Sequence, residues 1–379
     1  MLLIEADGKA LLRCCGIATP EGTVVSEATP ALSGGGPWIV KAQVPVGGRG
    51  KAGGVVRCET PAAVHAALGR LLGASIKGHV VQSCLVEAAV ANADEYYLSL
   101  VIDPAQYGVR VMLLREGGVD VEQAAKAAAR SRLCPADHAA ICAAIREIAA
   151  DEPGERRAAL IDTGEKLARL FMQHELMLAE INPLFVRPEG CIAGDAKIVV
   201  DLNAAERQSD IRALIERGAA IYPDAMRKLR DGFDYVEVDP KGEIGLVTTG
   251  AGLSMMLIDE MTARGGRPLN FLDIRTGLLR GDPTRLTKTL AWIGERPTVR
   301  VVLVNIFAGI TDLAEFASLL CLALERTPAL KVPIVARIVG HRFAEARAIL
   351  AAKRPDIAVE ESLDAALNRV DAILKGRPS

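Results

Sequence analysis

The chain has 379 residues, with 45 basic and 47 acidic side chains, 50% hydrophobic residues and only 4% aromatic residues. This length predicts two or three domains, and the aliphatic-rich composition is typical of α/β proteins with buried parallel strands. The charges are interspersed without a basic block, and neither a signal-peptide pattern nor an 18-residue apolar stretch occurs. We therefore expect no nucleic-acid partner, no secretion and no membrane span.

The first part of the chain predicts a mixture of helices and strands. Residues 1–17 predict a short helix, and residues 38–44 predict a strand that runs into a glycine-rich loop. Residues 60–72 have helical spacing, with Thr60 as the N-cap and Pro61 in the first turn. Farther along, we predict strands at 79–87, 95–102, 109–115, 177–181 and 197–201, and helices at 121–150 and 155–174.

The composition changes between Tyr222 and Gly242, where Pro, Asp, Lys and Gly replace long apolar runs. We place the domain boundary there, with one domain over residues 1–230 and the other over residues 240–379. The second domain predicts five strand–helix units, which are typical of an open, doubly wound parallel sheet. The predicted strands are 244–248, 270–274, 299–306, 333–338 and 357–360, with helices from Leu253, Thr284, Asp312, Ala344 and Leu363.

The eight cysteines are scattered along the chain, and the adjacent residues Cys14 and Cys15 cannot easily bridge to each other. No CxxC or Cys/His spacing typical of a metal site occurs in the sequence. Reduced thiols are the better interpretation of this pattern, and we therefore expect a cytoplasmic protein.

The strongest local pattern is the glycine-rich loop from Gly47 to Gly54, which follows the strand that carries Lys41. Glycines allow close approach of the backbone to an anion, and Lys41, Arg49 and Lys51 supply positive charge. The spacing matches neither a Walker A motif nor the dinucleotide fingerprint. The pattern predicts a phosphate-binding loop, with a flexible surface loop as the alternative.

A second pattern places polar residues at the ends of two predicted strands, with Glu180 and Asn182 on one side and Asp195 on the other. An amide oxygen and a carboxylate are hard ligands of the kind that Mg²⁺ binds together with phosphates and water. Because Asn-Pro and Gly-Asp also favour turns, ordinary turn residues are the alternative interpretation.

Three glycine-containing loops follow predicted strands of the second domain, at 248–252, 273–277 and 305–311. Ligands of open α/β sheets bind outside the carboxyl ends of the strands, and a helix from Leu253 offers N–H groups to an anion. Glycine is also ordinary in such connections, so the loops indicate a ligand site only when they are taken together.

Several motifs follow one another in a characteristic order. They are Val40-Lys41 with Gly47–Gly54, Glu180-Ile-Asn-Pro-Leu184, Asp201-Leu-Asn203 with Arg207-Gln208, Gly250-Ala-Gly-Leu253, Asn270-Phe-Leu-Asp273 and Val304-Asn-Ile-Phe307. Together they resemble the β subunits of succinyl-CoA synthetase and its relatives over nearly the whole chain. The resemblance implies an α/β protein in which an ATP-grasp domain precedes a flavodoxin-like, doubly wound domain.

The resemblance also implies roles for individual residues. The residues that match the family's nucleotide site are Lys41, Gly48, Arg49 and Gly50 at the phosphates, and Glu87, Val90 and Glu95 near the base and ribose. For Glu87 and Glu95, a solvated strand end is the alternative. Asn182 and Asp195 match the magnesium ligands, and Glu180 matches the carboxylate that faces a phosphorylated histidine of the partner.

The family reaction implied by the resemblance moves a phosphoryl group from ATP or GTP, bound with Mg²⁺, to a histidine of an α subunit. The phosphoryl group then forms an acyl phosphate with a small acid, and CoA attacks that intermediate. None of the five histidines in this chain lies in a phospho-accepting motif, and there is no room for a CoA-binding domain. We therefore expect activity only in a heterodimer or heterotetramer whose α subunit carries the histidine and the CoA site.

The loops that match the acid site depart from the family pattern. They carry Thr249, Arg275, Thr276, Gly309, Ile310 and Thr311. Relatives usually have Asn at the position of Thr249 and two glycines at Arg275 and Thr276, whereas Ala308 resembles malate–CoA ligases. One interpretation is that Arg275 binds a second anionic group on an acid other than succinate, such as malate or sulfoacetate. The other is that Arg275 points to solvent or to the partner.

Two further functions remain open at this stage. A ligase that joins a carboxylate to an amine would share the ATP-grasp domain but would lack the second domain. A diverged subunit that binds nucleotide and regulates a partner is the other alternative, because the acid loops are altered while the nucleotide motifs are intact.

Overall fold

The computed structural model of the chain describes residues 1–32, 35–115, 130–309 and 311–376. The described part contains no helix that is long and apolar enough to cross a membrane. The backbone forms two compact units, Met1–Ile221 and Tyr222–Ser379. This division precedes the helix Pro223–Asp231, which packs on the strand Asp234–Glu237, whereas the sequence pattern extended the first domain to residue 230.

The first unit contains antiparallel sheets with helices packed against them. In chain order its elements are α1 (Glu5–Cys14), β1 (Gly22–Val25), β2 (Trp38–Ala42), β3 (Val55–Cys58), α2 (Pro61–Leu71), β4 (Ser75–Ile76), β5 (His79–Val80), β6 (Cys84–Ala88), β7 (Asp94–Asp103), β8 (Gly108–Leu114), β9 (Arg130–Cys134), α3 (His138–Ile148), α4 (Gly154–Gln173), β10 (Leu176–Arg187), β11 (Gly190–Ala193), β12 (Lys197–Val200), a 3₁₀ turn (Ala205–Arg207) and α5 (Ser209–Arg217).

Two sheets of the first unit carry the predicted nucleotide motifs. One has the strand order β1-β6-β2-β3, and the glycine-rich loop leaves it after β2. The other has the order β11-β10-β7-β8-β9, with β12 also paired to β10, and it carries Glu180 and Asn182. Helix α2 begins as predicted, because the Thr60 side chain accepts a hydrogen bond from the backbone N–H of Ala63 at 3.2 Å.

Some predicted elements of this unit are wrong in detail. Residues 79–87 form two strands rather than one. Of the predicted helix 121–150, residues 121–129 lie outside the described residues, residues 130–134 form β9 on the edge of a sheet, and α3 begins at His138. The start signal for α3 is Asp137, whose side chain accepts the Ala140 N–H at 2.9 Å. Asn182 and Pro183 lie within β10, at a shift of register, instead of in a loop.

The second unit alternates strands and helices, as the sequence predicted. Its elements are α6 (Pro223–Asp231), β13 (Asp234–Glu237), β14 (Ile244–Thr248), α7 (Ala251–Ala263), β15 (Asn270–Asp273), a 3₁₀ turn (Thr276–Leu278), α8 (Thr284–Gly294), β16 (Val301–Ala308), α9 (Leu313–Glu325), β17 (Ile334–Gly340), α10 (Phe343–Lys353), β18 (Ala358–Glu360) and α11 (Leu363–Leu374).

The central sheet of the second unit is parallel, in the order β14-β16-β17-β18, and both of its faces are buried. Along β16, Val301 and Leu303 face a core with residues of α7 and α11. Their neighbours Val302 and Val304 face a second core with residues of α8, α9 and α10. Alternate side chains of a strand point to opposite faces, so these two cores confirm the doubly wound arrangement.

Strand β15 extends this sheet in an unusual way. Its backbone pairs antiparallel with β13, and the side chain of Asn270 connects it to β14 between two backbone hydrogen bonds, Leu269 N–H to the Ile244 carbonyl and Ile274 N–H to the Thr248 carbonyl. The Asn270 Oδ1 atom accepts from the Leu246 N–H at 2.9 Å, and its Nδ2 atom donates to the Leu246 carbonyl at 3.0 Å. The order β15-β14-β16-β17-β18 is that of flavodoxin-like folds, as the resemblance implied.

Candidate functional site

Helix α1 lies against β12 and thereby reaches the motifs of the first unit. The Leu3 N–H donates to the Ile198 carbonyl at 2.9 Å, and the Ala6 N–H donates to Gln43 Oε1 at 2.9 Å. Gly8 allows the close approach, because a Cβ atom there would lie 3.1 Å from the Cβ of Ala196. This packing buries the side chains that α1 presents to the glycine-rich loop.

A cavity of about 500 Å³ lies beside that loop in the first unit. Its wall combines the two motif regions that the sequence analysis singled out separately. The lining residues are Leu2, Leu3, Glu5, Val44, Val46, Gly47, Gly48, Arg49, Gly50, Lys51, Val55, Glu180, Asn182, Asp195, Ala196 and Lys197. The loop, Glu180, Asn182 and Asp195 therefore share one concave site, which is the arrangement that a bound ligand requires.

The glycine-rich loop has a defined conformation. Gly48 has a positive φ of 69°, and the N–H of Gly54 donates to the Arg49 carbonyl at 2.8 Å. Lys77 Nζ donates to the Gly47 carbonyl at 2.7 Å. These bonds argue against the alternative of an unstructured surface loop.

Arg49 and Lys51 of the loop both line the cavity, but of these two cations Arg49 is buried and Lys51 is exposed. Its Nη2 atom donates to Glu5 Oε2 at 2.7 Å and to Asp195 Oδ1 at 3.0 Å, while Nη1 donates to the Ala42 carbonyl at 3.1 Å. Burial opposes the charged form, but the carboxylates of Glu5 and Asp195 outweigh it and raise the pKa of Arg49. The guanidinium is thus held in place before any ligand enters.

Lys41 lies behind this wall, with only 8% of the residue exposed. Its ammonium group donates to Glu5 Oε1 at 2.7 Å and to the Gly194 carbonyl at 2.6 Å, and it forms an ion pair with Glu87 Oε2 at 2.9 Å. Burial again opposes the charge, but Glu5, Glu87 and Asp195 together raise the pKa of Lys41. Lys41 is therefore charged, but it is engaged by the protein and does not line the cavity.

The hairpin of β10 and β11 and the pairing of β10 with β12 bring Asn182 and Asp195 together. Leu184 pairs with Ala193, and the Gly194 N–H donates to the Pro183 carbonyl at 2.8 Å. A side chain at position 194 would collide with the Phe185 ring, so this crossing requires glycine.

The donor set of this corner suits Mg²⁺. No group of three or more His, Cys, Asp or Glu side chains that could hold a metal occurs among the described residues. Asn182 and Asp195 offer one amide oxygen and one carboxylate, so phosphates and water would supply the remaining ligands, as is usual for Mg²⁺. Burial, followed by the charge of Glu5, raises the pKa of Asp195 against the effect of Arg49 and Lys41.

Glu180 lies in the same wall and is held by two neighbours. Tyr97 donates its hydroxyl to Glu180 Oε2 at 3.2 Å, and Lys197 Nζ lies 3.4 Å from the same oxygen. Burial, followed by the charge of Glu180, raises the pKa of Tyr97, so the phenol remains a donor at neutral pH. Lys197 is the register partner of Glu180 across β10 and β12.

The residues predicted near the base and ribose lie elsewhere in the first unit. Glu87 is 2% exposed and pairs with Lys41 and Lys9, so it is not the solvated strand end that the sequence left open. Val90 is half-buried after β6, and Glu95 is exposed on β7. None of the three lines the cavity.

Sequence reasoning missed Glu5 and Lys9, which are both 1% exposed. Lys9 Nζ pairs with Glu5 Oε1 at 2.8 Å and with Glu87 Oε1 at 2.5 Å. The only sequence signal was an acid and a base four residues apart, which is also the commonest surface pair on helices. Burial raises the pKa of Glu5, but Lys41, Lys9 and Arg49 outweigh it and lower that pKa strongly.

The motif residues Arg207 and Gln208 serve a connection within the first unit. Arg207 binds Glu175 through two guanidinium nitrogens, and Gln208 Nε2 donates to Glu175 Oε1 at 2.8 Å. These hydrogen bonds lower the pKa of Glu175 to about 2. The pair fastens the 3₁₀ turn to the end of α4.

In the second unit, three threonines from different loops meet at the carboxyl ends of β14, β15 and β16. Thr276 Oγ1 lies 2.8 Å from Thr311 Oγ1 and 3.4 Å from Thr249 Oγ1. Gly309 is exposed, and Ile310 lies outside the described residues. The loops predicted to form a site together are therefore adjacent, and the hydroxyl groups of these three threonines meet where the loops come together.

Arg275 has a partner in its own chain. Its Nη2 atom donates to Asp234 Oδ2 at 2.9 Å, and Lys228 Nζ binds the other oxygen of Asp234 at 2.7 Å. Neither interpretation of Arg275 from the sequence included this ion pair, because Asp234 is 41 residues away. The Arg275 side chain is 44% exposed and remains accessible from solvent.

Comparisons with known proteins cover both units. Residues 2–186 match the ATP-grasp domain family and residues 247–370 match the CoA-ligase family. The chain is 38% identical over 363 residues to the β subunit of an ADP-forming succinate–CoA ligase of Chloroflexus aurantiacus, covering 93% of both chains. It is 38% identical over 369 residues to the GDP-forming β subunit of Thermus thermophilus, covering 93% of this chain and 94% of the relative.

The overall fold also matches a solved structure. An ATP citrate lyase from Methanothrix soehngenii, in complex with citrate and coenzyme A, superposes with a TM-score of 0.73 over 99% of both chains at 18% identity. At that identity, the match concerns the fold alone. The relatives over nearly the full length, and the two domain matches in their order, identify the chain as a member of the succinate–CoA ligase β subunit family.

Proposed function

We propose that this chain is the nucleotide-binding β subunit of an acid–CoA ligase, and that it phosphorylates a histidine of an α subunit from Mg²⁺-bound ATP or GTP. The observation that carries the proposal is the cavity of about 500 Å³, whose wall combines Arg49, Glu180, Asn182 and Asp195. Phosphoryl transfer depends on positioning and on neutralising charge, and this wall offers groups for both.

Some residues of the cavity act on the nucleotide and its Mg²⁺, and Glu180 acts on the incoming histidine. Arg49 and Lys51 neutralise phosphate charge, and N–H groups of the glycine-rich loop, which lines the cavity, would donate to phosphate oxygens. Asn182 and Asp195 would hold Mg²⁺, which supplies charge neutralisation at the phosphates when it is bound. Glu180 accepts the second ring N–H of the incoming histidine and thereby sets its tautomer. Tyr97 and Lys197 keep the Glu180 carboxylate oriented for that contact.

The phosphorylated histidine comes from a partner in this proposal. The cavity has no histidine among its described lining residues. The histidine phosphate then passes its phosphoryl group to the acid, and the thiol of CoA, bound mainly by the α subunit, displaces phosphate from the acyl phosphate. The β-subunit relatives support the existence of such a separate α chain.

The acid is a small dianion that binds at the threonine loops of the second unit. Succinate is the first candidate because of the names of the relatives. Malate or sulfoacetate is the alternative, since Thr249 stands where relatives usually have Asn, and Arg275 and Thr276 stand where they usually have glycine. Arg275 could turn to a second anionic group without leaving Asp234 unpaired, because Lys228 also binds Asp234.

A regulatory subunit that binds nucleotide without supporting ligation is the second candidate. The altered loops at Arg275 and Thr276 are the observation in its favour. An amine-joining ligase receives no support, since residues 247–370 match the CoA-ligase family.

The test is to co-express the chain with its α partner and follow phosphate transfer from labelled Mg–ATP and Mg–GTP to the α histidine. Glu180→Gln should lower the rate of phosphorylation by about 100-fold, the scale for a positioned acid–base group. Glu189→Gln, an exposed residue at the turn of the same hairpin, is the matched control.

CoA acylation is then measured with succinate, malate, itaconate, sulfoacetate and acetate. Turnover with one dianionic acid, lost when either subunit is omitted, supports the ligase and names its substrate. Phosphorylation without turnover of any of these acids supports the nucleotide half of the proposal and leaves the acid to be identified. No phosphohistidine in the wild-type complex contradicts the proposed function and favours the regulatory candidate.

A further inference from the structure

Two lysines of the first unit share the same set of acceptors. Lys9 binds Glu5 Oε1 at 2.8 Å, Glu87 Oε1 at 2.5 Å and the Gly194 carbonyl at 2.9 Å. Lys41 binds Glu5 Oε1 at 2.7 Å, Glu87 Oε2 at 2.9 Å and the same Gly194 carbonyl at 2.6 Å. The two ammonium groups thus lie side by side over one group of three acceptors.

This arrangement saturates Lys41. An ammonium group has three N–H donors, and Lys41 has three acceptors within 3 Å. It can reach a nucleotide phosphate only by giving up at least one of them. If no other cation were present, that movement would leave two buried carboxylates, Glu5 and Glu87, without sufficient compensation, which is costly.

We propose that Lys9 is a positioning residue that takes over Glu5, Glu87 and the Gly194 carbonyl when Lys41 turns to the nucleotide phosphate. The inference rests on the proposed function and adds a residue to that site. Lys9 acts through Lys41 and does not touch the ligand, because it is 1% exposed and does not line the cavity.

The charge balance of the cluster supports this role. Three basic side chains, Lys9, Lys41 and Arg49, form ion pairs with three carboxylates, Glu5, Glu87 and Asp195. Burial lowers the pKa of Lys9, and the nearby Lys41 ammonium lowers it further against the effect of the carboxylates. When Lys41 moves away, this repulsion decreases and Lys9 holds its proton more tightly. The Lys9 ammonium then compensates the negative charges of Glu5 and Glu87.

The test compares the affinity of the full chain for Mg–ATP and Mg–GTP, measured by isothermal titration calorimetry. Lys9→Met should weaken binding by about tenfold or more, because Lys41 then remains bound to the carboxylates. The double variant Lys9→Met/Glu87→Gln leaves two cations, Lys41 and Arg49, facing two carboxylates, Glu5 and Asp195, and Glu87 does not line the cavity. It should bind at least about threefold more tightly than Lys9→Met alone.

The control is Lys166→Met, which removes an exposed ion pair with Asp162 at the same four-residue spacing and should leave affinity unchanged. Unchanged affinity of Lys9→Met overturns the inference. So does a double variant that binds as weakly as the single one, since a role in packing alone predicts no rescue. If Lys9→Met does not fold, the double variant decides: it must fold and bind, or the inference fails.

These outcomes are separate from failure of the proposed function. If the wild-type chain binds neither nucleotide, the function itself is wrong. If it binds one of them and the charge-balanced variant is not rescued, only the role of Lys9 is wrong.

Discussion

Asn270 allows a prediction whose size follows from counted hydrogen bonds. Its fully buried amide satisfies both the N–H and the carbonyl of Leu246, at 2.9 and 3.0 Å, and attaches β15 to β14. Asn270→Ala leaves two buried backbone groups without these partners, and each such loss costs about 1–3 kcal/mol. We therefore expect the second unit to lose about 2–6 kcal/mol of its free energy of unfolding.

The assay is urea unfolding followed by the fluorescence of Trp292, which packs against Phe233 and Tyr235 in the second unit. The chain has two tryptophans, so a Trp38→Phe background leaves Trp292 as the reporter. With a dependence on urea of about 2 kcal/mol per molar, a loss of about 4 kcal/mol lowers the midpoint by about 2 M.

The control is Asn368→Ala, because Asn368 is exposed and accepts only a surface hydrogen bond from Arg264. It should change stability by less than about 0.5 kcal/mol. If Asn270→Ala moves the midpoint no farther than this control, water or a backbone shift replaces the side chain and the reasoning is refuted. The result bears on the loops proposed to bind the acid, since Asp273 at the end of β15 accepts the N–H groups of Gly250 and Arg275.

Three other predictions concern single side chains. The pKa of Glu175 falls from 4.5 to about 2 on folding, so its contribution to stability is present above pH 4.5 and is lost as the pH falls towards 2. The difference in melting temperature between the wild type and Glu175→Gln should therefore vanish over that range. Arg275→Gly should lower kcat/KM for the preferred acid by about tenfold and leave Mg–nucleotide affinity unchanged; equal kinetics across the acid panel would remove its role. Gly8→Val should force α1 away from Ala196, lower the free energy of unfolding by about 1–3 kcal/mol and thereby lower the melting temperature. Gly69→Ala, whose new Cβ meets no atom within 4 Å, should raise the melting temperature.

The family, the two-domain order and most elements of the second unit could be predicted from the sequence. Strand and helix periods are local properties, so the units from 244 to 374 are recognisable without any tertiary contact. The strand 130–134, which is the edge strand β9, was mistaken for helix, because its pairing with β8, rather than its own composition, decides its conformation.

The sequence by itself also determined which residue types are available at the proposed nucleotide site, since the motifs of Lys41, Arg49, Glu180, Asn182 and Asp195 are readable in order. It did not determine what each charge contacts. The bonds of Lys41 to Glu5 and to Gly194 span 36 and 153 residues, and that of Lys9 to Glu87 spans 78.

Only the tertiary structure decided that Glu5 and Lys9, an ordinary helix pair in the sequence, are buried members of the site. The same holds for Asn270, whose amide binds the backbone N–H and carbonyl of Leu246, and for Arg275, whose guanidinium has a carboxylate partner. Periodicity and motifs depend on neighbours along the chain, whereas the partner of a buried polar group depends on which distant segments pack around it.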